Sequence, residues 1–223
     1  MSSALLVFAK RAQPGHVKTR LTPVLTDEEA AQLYRAFLLD LLEQTQSIDA
    51  DVHLFWDAPP SNGAADPFAE RADAVQIQQG ASLGVRLQHG FDTAFSAGYD
   101  RVAAVGSDHP TLPTAFLREA FRALERPESI TIGPSYDGGY YLIGMNNAYP
   151  VLFEDMHYSH PQVLNQTLTR AGRTDACLTV LPRWYDVDTP ASLRLMLADL
   201  DGDLPPTPHT EQAVDALDLR SLV

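Results

Sequence analysis

Ala4-Leu5-Leu6-Val7-Phe8-Ala9, followed by Lys10-Arg11-Ala12-Gln13-Pro14-Gly15-His16-Val17-Lys18-Thr19-Arg20, decides how this chain is read. An apolar run without alternation describes a strand buried on both faces, as in a parallel sheet. Pro14-Gly15 breaks regular structure just after it. Thr26 through Glu29 then opens a helix, with Thr26 as N-cap and Glu29 as its capping-box partner. Leu33, Phe37, Leu38, Leu41 and Leu42 recur at helical spacing and give that helix an apolar face.

Outward from this unit the alternation repeats. Strands are expected at Val52–Trp56, Ala74–Gln78 and Arg101–Gly106, with helices at Ser82–Ala97 and Pro113–Leu124. Short strands follow at Ile130–Ile132, Tyr140–Met145 and Leu178–Leu181, with a helix at Pro161–Ala171. Another helix begins near Pro190, because proline favours the first helical position. Strands alternating with helices predict an α/β domain whose mostly parallel sheet is covered on both faces. One domain is expected over residues 1–201, with 202–223 forming a proline-rich linker and a short C-terminal helix around Glu211–Leu219.

The 223 residues, 45% hydrophobic and 20% charged, suit one sizeable globular core. No apolar run approaches the roughly 18 residues of a spanning helix and the amino terminus has no basic n-region, so a cytoplasmic protein without a membrane span is expected. A net charge of −13 argues against nucleic acid as a partner. Cys177 is the only cysteine, which excludes an internal disulfide and a multi-cysteine metal site, and a core role is expected for it. Nothing in the sequence indicates the number of subunits.

The placement of positive charge is more informative than its total. The only lysines, Lys10 and Lys18, share one short stretch with Arg11 and Arg20. Cations gathered beside a strand end in an acidic protein describe either a local anion site or a solvated loop. A loop leaving a parallel strand lies at the carboxyl edge of the sheet, where open α/β folds bind ligands. There Gly15 would let the backbone approach a phosphate, and Lys18 and Arg20 could reach its oxygens.

Acidic residues supply the counterpart. Asp108, at the end of the Arg101–Gly106 strand, could bind a divalent cation that bridges to phosphate, or it could cap the helix after Pro110. Asp186 and Asp188 alternate on an extended segment, so one of them faces the site; Asp188 is the expected second metal ligand, with capping of the Pro190 helix as its competing role. Asp137 lies in Gly133-Pro134-Ser135-Tyr136-Asp137-Gly138-Gly139, which is either a ligand loop or a plain turn. Of Tyr140 and Tyr141, one is expected in the core and the other near a pocket. No histidine has metal-motif spacing, and His109, beside Asp108, is the one to test.

Together these blocks resemble a bacterial family of predicted glycosyltransferases, a domain of unknown function (DUF2064) related to nucleotide-diphospho-sugar transferases. The resemblance runs through Phe8 to Leu21, Leu83-Gly84-Val85-Arg86, Gly106 to Pro110, Gly133 to Gly144 and Asp186 to Pro190, and so spans about residues 4 to 200. It implies the glycosyltransferase A (GT-A) fold, a single-domain three-layer α/β/α structure with a mixed sheet, and a nucleotide sugar bound with Mg²⁺ or Mn²⁺. It also implies phosphate contacts from Lys10, Lys18 and Arg20, metal or sugar contacts from Asp108, and pocket roles for Arg86, Asp137 and Asp188. Tyr158-Ser159-His160 departs from the tryptophan-led triplet expected of the family. Lys18 to Thr26 also resembles the 2-phospholactate guanylyltransferases, which attack a nucleoside triphosphate and release pyrophosphate.

The expected activity is therefore transfer of a sugar from a nucleoside diphosphate sugar to a small acceptor. Asp108 and Asp188 would hold the metal, Lys18 and Arg20 would neutralise the diphosphate, and Asp137 would contact the sugar or act as base. Nucleotidyl transfer from a nucleoside triphosphate is the alternative, and a non-catalytic nucleotide-binding module is the third possibility.

Overall fold

A computed structural model describes residues 1–60, 66–202 and 205–222. The strands are β1 Ser3–Ala9, β2 Asp51–Trp56, β3 Ala74–Ile77, β4 Arg101–Gly106, β5 Ser129–Pro134, β6 Tyr140–Met145 and β7 Cys177–Val180. They form one sheet in the order β3-β2-β1-β4-β6-β5-β7. All neighbours run parallel except β6, which is antiparallel to both β4 and β5. The expected mixed, mostly parallel sheet is therefore present.

Alternation along β1 assigns the layers. Leu5, Val7 and Ala9 pack with Leu38, Leu41 and Leu42 of helix α1 (Asp27–Thr45) and with Leu117 and Phe121 of α3 (Thr114–Ala123). Ala4, Leu6 and Phe8 face α2 (Leu83–Ser96) through Leu87 and Phe91, on the side that also packs Leu164 of α4 (Val163–Ala171). Two helical layers thus enclose the sheet. Behind α1, its second apolar face of Leu33, Tyr34 and Phe37 packs on Leu193, Met196 and Leu197 of α5 (Pro190–Asp199) and on Val214 of α6 (Pro208–Ala216).

Two helix starts bear on the site. Thr26 and Glu29 form the expected capping box of α1. At α5 the N-cap is Thr189, with Ser192 as its reciprocal partner. Asp188 is therefore free of the capping role that competed for it. Asp108 is free as well, because α3 starts after Pro113 with no side-chain cap.

The tail helix starts at Pro208 rather than Glu211. Buried Asp40 of α1 accepts the N–H groups of His209 (3.0 Å) and Thr210 (2.7 Å), so the cap comes from another helix. Of the segment 202–223, residues 203, 204 and 223 lie outside the described set. Cys177 corrects the sequence reading: it is exposed, because β7 is an edge strand that, among the described residues, pairs only with β5. Among the described residues no helix is long and apolar enough to cross a membrane.

Candidate active site

The sheet order puts a switch point between β1 and β4. From β1 the chain proceeds outward through β2 and β3, then crosses back to β4 on the other side of β1. Loops leaving two such strands diverge and open a crevice at their carboxyl ends. Phe8 pairs with Gly106, so Lys10 and Ser107-Asp108 emerge at the same level.

Two apolar anchors fix the loop after β1. Val17 and Leu21 are buried against α1 and α5 and straddle Lys18. The Lys18 backbone is left-handed (φ 51°), unusual for a residue with a Cβ, and its side chain points inward with 2% exposure. Its ammonium bonds to Asp108 and lies 2.9 Å from Asp188 Oδ1, with the rings of Tyr34 and Phe37 each 5.6 Å away. Tyr34 is a strut between the two loops: its hydroxyl accepts the Lys10 N–H (2.9 Å) and pairs with Ser107 Oγ (2.6 Å). Burial pushes the Tyr34 phenol well above its ordinary pKa, so it stays neutral.

Burial alone would drive Lys18 toward the neutral amine, but the charges of Asp108 and Asp188 outweigh it and its pKa is raised. Burial works in the opposite sense on Asp108, where the Lys18 ammonium, then His109 and Lys10, hold the carboxyl below its ordinary range. The trio carries one positive and two negative charges.

Above this trio lies a cleft of about 440 Å³ whose walls include Lys10, Lys18, Arg20, Arg86, Asp108 and Asp188. Six of the sequence-derived candidates thus come together. Gly15 is not on the wall; it has φ +73° and a Cβ there would lie 3.4 Å from Asp27 Oδ2. Asp137 lies in a neighbouring cleft of about 390 Å³ with Tyr136, Asp186 and Leu195, and the two clefts share Arg20 and Asp188.

The remaining candidates separate by face. Asp186 turns away from Asp188, to Ser135 Oγ and to His109 Nε2 at 3.3 Å, while His109 Nδ1–H donates to the Tyr185 carbonyl at 3.0 Å. Burial raises the Asp186 carboxyl, reinforced by Asp137 and Asp108 and opposed by His109 and Ser135. His109 is buried and lines neither cleft. Tyr141 belongs to the core, and Tyr140 pairs with Tyr158 across a 3.0 Å hydroxyl contact without lining either cleft.

Three lining residues were not anticipated. Tyr34 has no local signal, because it looks like part of an apolar helix face. Gln78 donates to the carbonyls of Ala9 (3.1 Å) and Phe55 (2.9 Å), tying the ends of β1 and β2 together, and accepts from Arg86 Nη1 at 3.4 Å. Arg86 Nε also donates to the Gly80 carbonyl (3.0 Å). Asp57 follows β2 and accepts the Arg11 N–H at 2.8 Å. Gln78 and Asp57 both follow strand ends, so the carboxyl-edge rule could have found them.

Asp108 and Asp188 fit a hard divalent cation. Their Oδ1 atoms converge on one ammonium and their side chains are 40% and 39% exposed, on the cleft wall. Such an all-oxygen donor set suits Mg²⁺ or Mn²⁺. Among the described residues, a group of three acid or imidazole ligands within 4.8 Å of one another occurs elsewhere, at Asp40, Glu43 and His209. Those side chains already serve the α1–α6 junction, where His209 Nε2 pairs with Glu43 at 2.7 Å.

Comparison with known proteins agrees with this fold. A profile of a bacterial family described as an uncharacterized conserved protein (DUF2064) matches residues 39–160. The crystal structure of a candidate nucleotide-diphospho-sugar transferase from Desulfovibrio desulfuricans G20 is 33% identical, covering 99% of this chain and 98% of its own, with a TM-score of 0.87. CMP:2-keto-3-deoxy-manno-octonic acid synthetase complexed with CTP shares the fold at 12% identity (90% and 99% coverage, TM-score 0.54). A cytidylyltransferase from Leptospira borgpetersenii does so at 12% identity (100% and 97% coverage, TM-score 0.56). No functionally curated protein matches the sequence.

Proposed function

Because the chain belongs to the bacterial DUF2064 family, whose fold is that of nucleotide-diphospho-sugar transferases, we propose that it transfers a sugar from a nucleoside diphosphate sugar to the hydroxyl of a small acceptor. The observation that carries this reading is the ammonium of Lys18 held between Asp108 and Asp188 under a cationic cleft at the sheet's switch point. Lys10, Lys18 and Arg20 bind the diphosphate oxygens, and Arg86, steadied by Gln78 and the Gly80 carbonyl, lines the same cleft. Asp108 and Asp188 would hold Mg²⁺ or Mn²⁺, which when bound would neutralise charge on the diphosphate.

The acceptor oxygen attacks the anomeric carbon while the bond from that carbon to the diphosphate oxygen breaks, leaving its electron pair on the diphosphate. The acceptor proton passes to the Asp137 carboxylate. Lys18 and Arg20 stabilise the charge that develops on the leaving group.

Nucleotidyl transfer from a nucleoside triphosphate is the second reading, favoured by the sheet shared with the CTP-bound synthetase. Incubation with Mn²⁺ and a panel of nucleotide sugars and triphosphates separates the two. Release of nucleoside diphosphate supports sugar transfer, and release of pyrophosphate supports the alternative. Nucleotide binding should raise the melting temperature. If Lys18→Ala and Asp108→Ala keep that rise and its metal dependence, the site assignment is wrong. Asp108→Asn is expected to lower turnover by about 100-fold or more.

A further inference from the structure

The second cleft has a chemistry of its own. Its walls carry two unusually exposed apolar side chains, Tyr136 at 65% and Leu195 at 45%. Tyr136 is not exposed because its loop is loose. The Ser135 N–H donates to the Gly139 carbonyl (3.0 Å), the Tyr136 N–H to the Trp184 carbonyl (3.1 Å) and the Gly139 N–H to Asp137 Oδ1 (2.8 Å). Gly138, at φ +92°, lies so close to Pro161 that a Cβ would stand 2.3 Å from its carbonyl oxygen. A pinned backbone thus presents an aromatic ring to solvent. On α5, Ala191 and Leu195 lie one turn apart and both line the cleft, forming an apolar ridge.

Beside these apolar surfaces are the carboxylates of Asp137 and Asp186, and Arg20 and Asp188 connect the cleft to the cationic one. Carboxylates accept hydrogen bonds from hydroxyls and repel anions. Aromatic and aliphatic faces cover C–H surface. Molecules combining many hydroxyls with an apolar C–H face are neutral carbohydrates and cyclic polyols. A phosphorylated acceptor would set its charge against Asp137, Asp186 and Asp188, which outnumber the guanidinium of Arg20 on the same wall.

We infer that the Tyr136–Asp137–Asp186–Leu195 cleft is the acceptor subsite and that it takes a neutral polyhydroxylated molecule, a saccharide or cyclic polyol, rather than a phosphorylated one. This rests on the proposed sugar transfer for its role, while the binding itself can be measured without any donor.

The test uses the full chain and ligand-observed NMR with methyl glucoside, methyl galactoside, methyl mannoside and myo-inositol, each beside glucose 1-phosphate as the charged probe. At least one neutral probe is expected to bind with or without UDP and Mn²⁺, and more tightly than glucose 1-phosphate. Tyr136→Ala and Leu195→Ala are each expected to weaken it about five-fold or more, a loss of one stacked or apolar face. Melting temperature and nucleotide affinity should stay unchanged in both variants. The inference is overturned if no neutral probe binds, if the phosphate binds better, or if both variants bind as the wild type does. Failure of the nucleotide reading shows separately, as absence of any nucleotide-induced rise in melting temperature while saccharide binding persists.

Discussion

Lys18 Nζ lies 2.9 Å from Asp188 Oδ1 across 170 positions of sequence, and the same ammonium bonds to Asp108. One side chain therefore joins the loop after β1, the end of β4 and the segment before α5. The backbone adds a tie in the same place, because the Val187 N–H donates to the Asp108 carbonyl at 3.0 Å. The result is a preassembled pair of carboxylates whose mutual repulsion is offset by a lysine.

Removing that lysine should have opposite effects on two ligands. In Lys18→Met the carboxylates lose their cation, so Mn²⁺ alone is expected to bind more tightly than to wild type by about ten-fold, read by electron paramagnetic resonance. Nucleoside diphosphate affinity should fall in the same protein. Stability should drop by about 1–2 kcal/mol in urea denaturation, less than for a fully buried pair because both carboxylates are partly exposed. Unchanged Mn²⁺ affinity would mean that the ammonium and the metal do not share these ligands.

The pKa shifts give this trio a pH window. Asp108 is lowered, so its contribution is present above the unfolded carboxyl value of about 3.9 and is lost as pH falls through the lower folded value. Lys18 is raised, so its contribution is complete below about 10.4 and disappears as pH rises through the higher folded value. The trio's contribution should therefore be at its full value from about pH 5 to 9 in the wild type. The difference from Lys18→Met should shrink only toward the acid end, where Asp108 without its lysine is raised by burial. Thermal melts across that range check it, and a slope centred near neutrality would contradict the charge assignment.

Much of this was legible in the sequence because it is local. The apolar run of β1, the capping box at Thr26 and Glu29, and Pro190 each announce an element without reference to the rest of the chain. The candidates Lys10, Lys18, Arg20, Asp108 and Asp188 follow from one rule, that loops at strand carboxyl ends meet. What was not legible is set at long range. The caps that competed for Asp108 and Asp188 were resolved only by Pro113 and Thr189. Tyr34 reads as one more apolar helix residue until Ser107 and Lys10 arrive from elsewhere. Cys177 was expected in the core as a lone cysteine without a disulfide or metal role, and only the sheet order reveals that its strand is an edge.

Asp40 offers a test remote from both clefts. Its carboxylate supplies the cap that the α6 sequence lacks, so Asp40→Ala removes acceptors for the His209 and Thr210 N–H groups. A loss of about 1–3 kcal/mol is expected. Hydrogen exchange should accelerate across 208–216 while nucleotide affinity stays as in wild type. Exchange at wild-type rates would show that α6 is held by its apolar face alone, through Ala213 and Val214.

Gly138 tests whether the turn carrying Tyr136 and Asp137 is built or merely tolerated. With φ at +92°, any L side chain is strained there, and the Cβ of Gly138→Ala would lie 2.3 Å from the Pro161 carbonyl oxygen and 2.7 Å from the Pro161 Cα. These are backbone atoms, so a rotamer change cannot relieve the contact; the 135–139 turn or the segment before α4 must move. Strain of about 1–3 kcal/mol is expected in denaturant melts. Gly139 is a control of similar position: its φ is not in the left-handed region and a Cβ would meet the Asp137 side chain, nearest at Oδ1, 3.2 Å away. Gly139→Ala should therefore cost less than Gly138→Ala. Equal losses would mean that the approach to Pro161 does not set the position of the turn.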